Sequence, residues 1–449
     1  MSIQTIKEHS AFNGAFGESQ ERLRGKGGPW IERLRESAFD RFEELGFPTT
    51  REEEWKYTNV APMSKLNFQP ASEETLSSET RQPIELESFS YEESRNSQLV
   101  FVNGLYRSDL SMLDGLPDGV VALQLANAIR DEEYANVIQK HLAREADFNN
   151  AAFSALNTAF FSDGAFLLIP EGVVVDSPIH LMFLTDSHSS RQVSFPRVLV
   201  VARKNSSATV IESYSSTGEN EYWTNAEVEI VLEDGARLEH YKLQHESIEA
   251  FHTARTTAAL GCGSLFDTTT ITLGARLSRH DIRIRLDHPG AECRVDGLYI
   301  VAGEQHSDTH SLIDHLEPNC TSRQLYKGIL DGKSRAVFNG KVFVHQGAQQ
   351  TDAQQTNRNL LLSSDARVDT KPQLEIFADD VKCAHGATVG QLEEEELFYL
   401  VSRGLHRELA QNLLTFGFAE EVIDKIKIES IKSQLGEVVL NRLHAKLEV

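Results

Sequence analysis

The sequence is poor in cysteine: Cys262, Cys293, Cys320 and Cys383 are the only four in 449 residues. So few thiols, so widely spaced, speak against a disulfide framework and suit reduced cysteines in a cytosol. Long apolar runs are missing too. The best of them, Ala165–Ile169, Val173–Val175 and Val198–Ala202, fall far short of the roughly 18 residues of a membrane-spanning helix, and Pro170 and Glu171 interrupt the first pair. Met1–Phe16 has no basic segment followed by an apolar one, so no secretory signal is expected. Basic residues are in deficit, 44 against 67 acidic, for a net charge of −23. That argues against nonspecific binding to nucleic acid or to an anionic membrane. The expectation is a cytoplasmic protein with neither kind of partner.

Several catalytic signatures are absent as well. There is no Gly-x-x-x-x-Gly-Lys-Ser/Thr loop, no Cys-x-x-Cys, no His-Glu-x-x-His and no Gly-x-Ser-x-Gly. Gly261-Cys262-Gly263 lacks the third glycine and the following helix of a dinucleotide fingerprint. Nucleotide hydrolysis by a phosphate loop, the strong zinc signals and a serine-nucleophile elbow are thereby removed.

What is present divides into three stretches, 1–160, 161–390 and 391–449. Met1–Lys26 is polar and glycine-spotted, an arm or frayed helix. Pro29 opens a helix with Ile31, Leu34, Ala38, Phe42 and Leu45 on one face, ended by Gly46-Phe47-Pro48. In Arg51–Thr58 the aromatics Trp55 and Tyr57 alternate with polar residues, which reads as a segment docked on the core. Gln69–Ser97 reads as a solvated linker, Leu99–Leu105 as a strand entering an Asn-Gly turn, and Val121–Ala159 as helical. From Ala165 to about Gly390 short β-type runs follow one another without a helix. A small-residue turn precedes several of them: Ser207-Ala208, Gly235-Ala236, Gly263-Ser264 and Gly290-Ala291, at intervals of about 28 residues, with looser versions at Lys333-Ser334 and Asp365-Ala366. A stacked β-solenoid needs such corners; a large β-sandwich is the rival. From Gln391 the chain is helical again, with helices expected over His406–Phe416 and Glu420–Leu447. They either cover the open end of the β region or offer an apolar face to a partner.

Three stretches carry candidate chemistry. Cys383-Ala384-His385 places a thiol and an imidazole on one face of an extended segment, a ligand pair for iron or zinc or a satisfied structural pair. His306, Asp308 and His310 alternate, with His315 and Cys320 beyond, and suit a metal or acid–base set or an ordinary polar strand face. Gln349–Asn359 is a run of amides fit to ladder between coils or to lie solvated.

Taken together, several blocks resemble the SufB/SufD family of iron–sulfur assembly scaffolds, and within it the SufD branch. They include Arg51–Thr58, Phe101–Gly104, Asp163-Gly164 with Pro170–Val173, His306–Asp308, His315 with Cys320, Phe338–Val342, Gln349–Asn357, Pro372–Ile376, Cys383–Gly390 and Glu396–Leu400. The resemblance implies a right-handed parallel β-helix core flanked by an N-terminal helical region and a C-terminal helical domain. It implies a non-catalytic scaffold in complex with a SufB-like subunit and a SufC-like ATPase, the ATPase docked on the C-terminal helices; whether the chain forms a homodimer when SufB is absent is left open by the sequence. It implies that His385, and after it Cys383, contribute to a transient iron–sulfur cluster shared with SufB. A flavin has been associated with such complexes, though no stretch resembles a flavin motif. Two rivals stand beside this reading: a β-helix enzyme acting on polysaccharide through Asp308 and His310, and a β-solenoid interaction module in which Cys383 and His385 are silent.

Overall fold

The structure, a computed structural model, describes residues 12–25, 27–72, 84–145, 147–186 and 191–444, with side chains as far as 440. The start of the Met1–Lys26 arm and the centre of the Gln69–Ser97 stretch lie outside the described residues; Phe12–Leu23 within the former is a helix.

From Gly164 to Gly390 the strands alternate between two parallel sheets. One carries Arg197–Ala202, Trp223–Leu232, Phe251–Leu260, Leu277–Leu286, His306–His315, Arg335–Val344 and Arg367–Ile376 side by side. The other carries Ile179–Thr185, Ser207–Ser216, Arg237–His245, Leu265–Thr272, Glu292–Val301, Thr321–Leu330, Thr351–Leu361 and Val381–Gly390. The chain therefore winds as a two-faced β-solenoid of about seven turns. A sandwich built of hairpins would pair consecutive strands antiparallel; here each pairs in parallel with the strand one coil away.

The corners explain the faint repeat. Ser207, Arg237, Leu265, Glu292, Thr321 and Asp352 are in register, and two residues before each stands a left-handed residue: Asn205, Gly235, Gly263, Gly290, Asn319 and Gln350. The counterpart of Gly235-Ala236 is thus Asn205-Ser206, not Ser207-Ala208. Lys333-Ser334 and Asp365-Ala366 lead into strands of the opposite sheet and belong to another corner. The shared requirement is a positive φ, which glycine meets freely and asparagine tolerates, so a small-residue pattern tracks it only in part.

Three apolar layers hold the solenoid. Between the sheets, Val198, Val200, Val228, Ile230 and Ile284 face Leu181, Val210, Leu238, Phe266 and Val295. On the outer face of the first sheet, Phe12, Ile31, Phe42 and Phe160 of the N-terminal helices cover Leu199, Val201, Trp223 and Phe251. On the outer face of the second, Val422, Ile426, Ile431 and Leu435 cover Ile211, Tyr241, Ile271 and Leu298. Strands buried on both faces read as continuous apolar runs, as Arg197–Ala202 does.

Packing also moves some elements from their expected places. Val121–Ala159 opens with a strand, Val121–Gln124, which pairs antiparallel with Gly164–Ile169 before helices Ala135–His141 and Ala152–Phe160. Tyr91, Ser94 and Ser97, expected in a solvated linker, are buried, and the Ser97 hydroxyl donates to the Pro178 carbonyl. The C-terminal helices are Glu394–Ser402, Arg407–Ile423 and Glu429–His444. Their last break falls at Asp424–Ile428 and not near Gly417, because Ile426 and Ile428 in the break are themselves buried against the second sheet. These helices lie along the flank of the solenoid and leave its last coil bare, so they do not cap the end.

Candidate metal-ligand pair at the open end

Val381–Gly390 is the edge of the second sheet, paired on one side only, with Thr351–Leu361. Register sets Cys383 beside Ala353 and His385 beside Gln355, both buried in the coil beneath. Alternate residues share a face, so both side chains stand over the open end of the interior. Cys383 is half-buried against the inter-sheet core, and burial pushes its thiol up; it stays a neutral thiol unless a metal displaces the proton. His385 is exposed. Among the described residues no group of three or more His, Cys, Asp or Glu side chains is arranged to hold a metal ion. A cluster or a tetrahedral ion needs four ligands, so this chain offers at most half a set here.

The amide run lies directly below. Gln355 Nε2 donates to Gln324 Oε1 at 2.7 Å, Asn359 Nδ2 to Asn357 Oδ1 at 2.7 Å, and Thr370 of the facing sheet to Asn357 Oδ1 at 2.8 Å. The Tyr299 hydroxyl donates to Asn359 Oδ1. The inward amides Gln355, Asn357 and Asn359 are therefore bonded within the solenoid, Gln355 to the coil beneath, while Gln350 and Gln354 are exposed.

His306, Asp308 and His310 do share the outer face of the first sheet, but Arg51–Thr58 lies over them. The Thr58 hydroxyl donates to Asp308 Oδ2 at 2.5 Å and sits 2.8 Å from His306 Nε2. His310 is 3.1 Å from both Asp308 Oδ1 and Glu54 Oε2. Arg279 donates to Asp308 at 2.9 Å and lies 3.9 Å from the centre of the Trp55 ring. Burial disfavours the charged His310, yet Asp308 and Glu54 outweigh it and push its pKa up to about 9. Burial alone would raise Asp308; Arg279 and His310 hold it well below the usual carboxylate range. This is a closed charge lattice under a docked segment, without the open carboxylate groove a polysaccharide enzyme needs. His315 is interior, 2.9 Å from the Ser322 hydroxyl, and burial lowers it to about 4. Cys320 is buried, with its thiol donating to the His288 carbonyl, and Cys293 is buried in the core. Gly261-Cys262-Gly263 enters a strand, not a helix, and so offers no helix N-terminus to a flavin diphosphate.

Sequence reasoning missed one cluster. Inside the solenoid, Lys242 Nζ lies 3.0 Å from Glu212 Oε1, His240 3.0 Å from Glu212 Oε2, and His252 2.7 Å from Glu246. Burial opposes the charge on Glu212, but Lys242 and His240 hold it ionised, well below its ordinary pKa. The signal was the alternation of His240, Lys242, Gln244 and Glu246 with Tyr241 and Leu243. Alternation separates two faces without saying which one points inward.

Comparison with known proteins adds the family context. Residues 183–418 match the profile of the SufBD core domain of the SUF system for FeS cluster assembly, and residues 6–181 that of the SufBD protein N-terminal region. An iron–sulfur cluster assembly SufBD family protein of Synechocystis is 39% identical over 415 residues, 90% of this chain and 89% of the relative. The iron–sulfur cluster assembly protein SufD of Escherichia coli is 32% identical over 402 residues, 89% of this chain and 90% of the relative. The chloroplastic protein ABCI7 of Arabidopsis thaliana is 31% identical over 414 residues, 90% of this chain and 84% of the relative.

Proposed function

This chain belongs to the SufBD family of iron–sulfur cluster assembly proteins, and on that premise we propose that it is a non-catalytic scaffold subunit lending His385, with Cys383 second, to a nascent cluster shared with a SufB-like partner. The observation that carries this reading is the bare last coil. It holds two ligand-type side chains on an edge strand, and among the described residues no further ligand joins them into a set of three or more. Iron and sulfide are the cargo, and the missing ligands come from the partner. The edge strands Arg367–Ile376 and Val381–Gly390 present unpaired backbone groups, the usual template for a strand of another chain. Phe377 and Val389 beside them are 60% and 47% exposed. Without a SufB-like subunit, a second copy of this chain takes that edge.

The helical domain supports an ATPase partner. Helices Arg407–Ile423 and Glu429–His444 bury one face against the second sheet, while Phe398 and Tyr399 of Glu394–Ser402 stand 73% and 58% exposed. A SufC-like ATPase docked there moves the helical domain as it turns over ATP, and so opens the shared end of the scaffold. Among the described residues no helix is long and apolar enough to cross a membrane. The four free cysteines support a reducing, cytoplasmic setting for the assembly. The test is His385→Ala in the complex reconstituted with SufB-like and SufC-like subunits, read by the visible absorption of the iron–sulfide bands. Loss of cluster yield is expected; undiminished yield sinks the role of His385.

A further inference from the structure

Arg51–Thr58 and His306–His310 have no part in the scaffold reading, yet the fold joins them. Register places Arg279, Asp308, Val337 and Asp369 in one row across the first sheet, and Asp281, His310, Asn339 and Lys371 in the next. The N-terminal segment reaches all four of these strands. Trp55 stacks on Arg279 in the first. Glu54 and Thr58 bind His310 and Asp308 in the second. The Tyr57 ring lies 5.9 Å from Arg335 in the third, which in turn pairs with Asp369 at 2.6 Å. Glu53 pairs at 2.7 Å with Lys371 in the fourth, Arg367–Ile376, which is the edge strand.

That edge strand has a ladder neighbour on one side only and no fully buried residue. Its own packing is therefore weaker than that of the coil strands before it, and terminal coils of stacked folds fray first. The segment is anchored at Thr58, which is 1% exposed, and at the half-buried Trp55, which lies over an Arg279 held by Asp281 and Asp308. The Glu53–Lys371 pair is exposed and weak by itself. Its effect comes from being tied to that anchor.

We propose that Arg51–Thr58 is a staple that holds the terminal strand of the first sheet in register and so presents the open end to its partner, with Glu53 and Tyr57 as positioning residues. The consequence for the partner rests on the scaffold reading above; the staple itself does not. The test uses hydrogen–deuterium exchange of the full chain, comparing peptides over 367–376 with reference peptides over 207–245, and co-elution with the SufB-like subunit. Glu53→Gln with Tyr57→Ala, and separately Lys371→Met, are expected to speed exchange in 367–376 roughly two- to tenfold with the reference unchanged, and to weaken co-elution. Exchanging the charges, Glu53→Lys with Lys371→Glu, restores both, and Tyr57→Phe by itself leaves both as in the parent chain. Unchanged exchange in 367–376, or equal acceleration of the reference peptides, overturns the staple. Faster exchange with undiminished co-elution overturns its positioning role. His385→Ala keeps the two readings apart, because it leaves exchange at 367–376 as in the parent chain whatever it does to cluster yield.

Discussion

Arg197–Ala202 and Val381–Gly390 belong to parallel ladders of the same kind, yet they live in opposite environments. Every residue of the first is buried, between the inter-sheet core and the N-terminal helices. The second is mostly exposed, without a following coil or an outer helix. Each coil of a solenoid is stabilised chiefly by neighbours that bury its faces, so an uncovered end is where another chain supplies the next layer. On the scaffold reading proposed above, the difference separates a region built for stability from one left open for assembly, within a single ladder architecture.

The contrast can be broken from the buried side first. Lys242→Met removes the permanent cation from Glu212 inside the solenoid and leaves it only His240, and a loss of about 3–5 kcal/mol is expected. Adding Glu212→Leu recovers much of it, as urea unfolding will show; no recovery means the pair is not the reason for the loss. In the same assay Ile284→Ala, in the inter-sheet core, costs about 2–5 kcal/mol, while Val389→Ala on the bare strand stays within about 0.5 kcal/mol. Equal losses at the two sites erase the distinction drawn here.

A gentler probe is pH. Folded His310 holds its proton to about 9, against an ordinary 6.5. The stability it adds is complete below pH 6.5 and is lost as pH rises through about 9. Unfolding midpoints of the parent chain should fall across that window relative to those of His310→Gln; parallel curves exclude the lattice as the cause. The smallest effect on stability is expected for Phe398→Ser with Tyr399→Ser, within about 0.5 kcal/mol. That variant should nonetheless lose co-elution with the SufC-like ATPase, and retained binding there removes the helix Glu394–Ser402 from the docking surface.

Much of the β region was legible because its strands are short β-type runs, some apolar and some alternating, with turn residues and no helix between them. The amide run 349–359 was only half legible, since the same residues suit a ladder between coils or a solvated loop, and only the register of Gln355 with Gln324 decided between them. The corner positions were also only partly legible. Asn205, Asn319 and Gln350 adopt the same left-handed conformation as Gly235, and no small-residue rule selects them. The charged interior of Arg237–Glu246 was illegible, because its inward residues are polar and its outward ones, Tyr241 and Leu243, are apolar under the C-terminal helices. An outer cover inverts the usual meaning of alternation.

For the opening scarcity the same division holds. By itself the sequence determined that thiols are few and that only Cys383 and His385 stand two apart, on one face of an extended segment. It also determined that no further ligand set lies nearby in the chain. Local geometry suffices for these, since side-chain direction in a strand has a period of two. Only the tertiary structure decided that this strand is the last of its sheet and that the C-terminal helices pass along the flank. It alone brought Arg51–Thr58 to rest on the row ending at Lys371. Those are contacts between residues hundreds of positions apart, and they depend on which faces the whole chain has managed to cover.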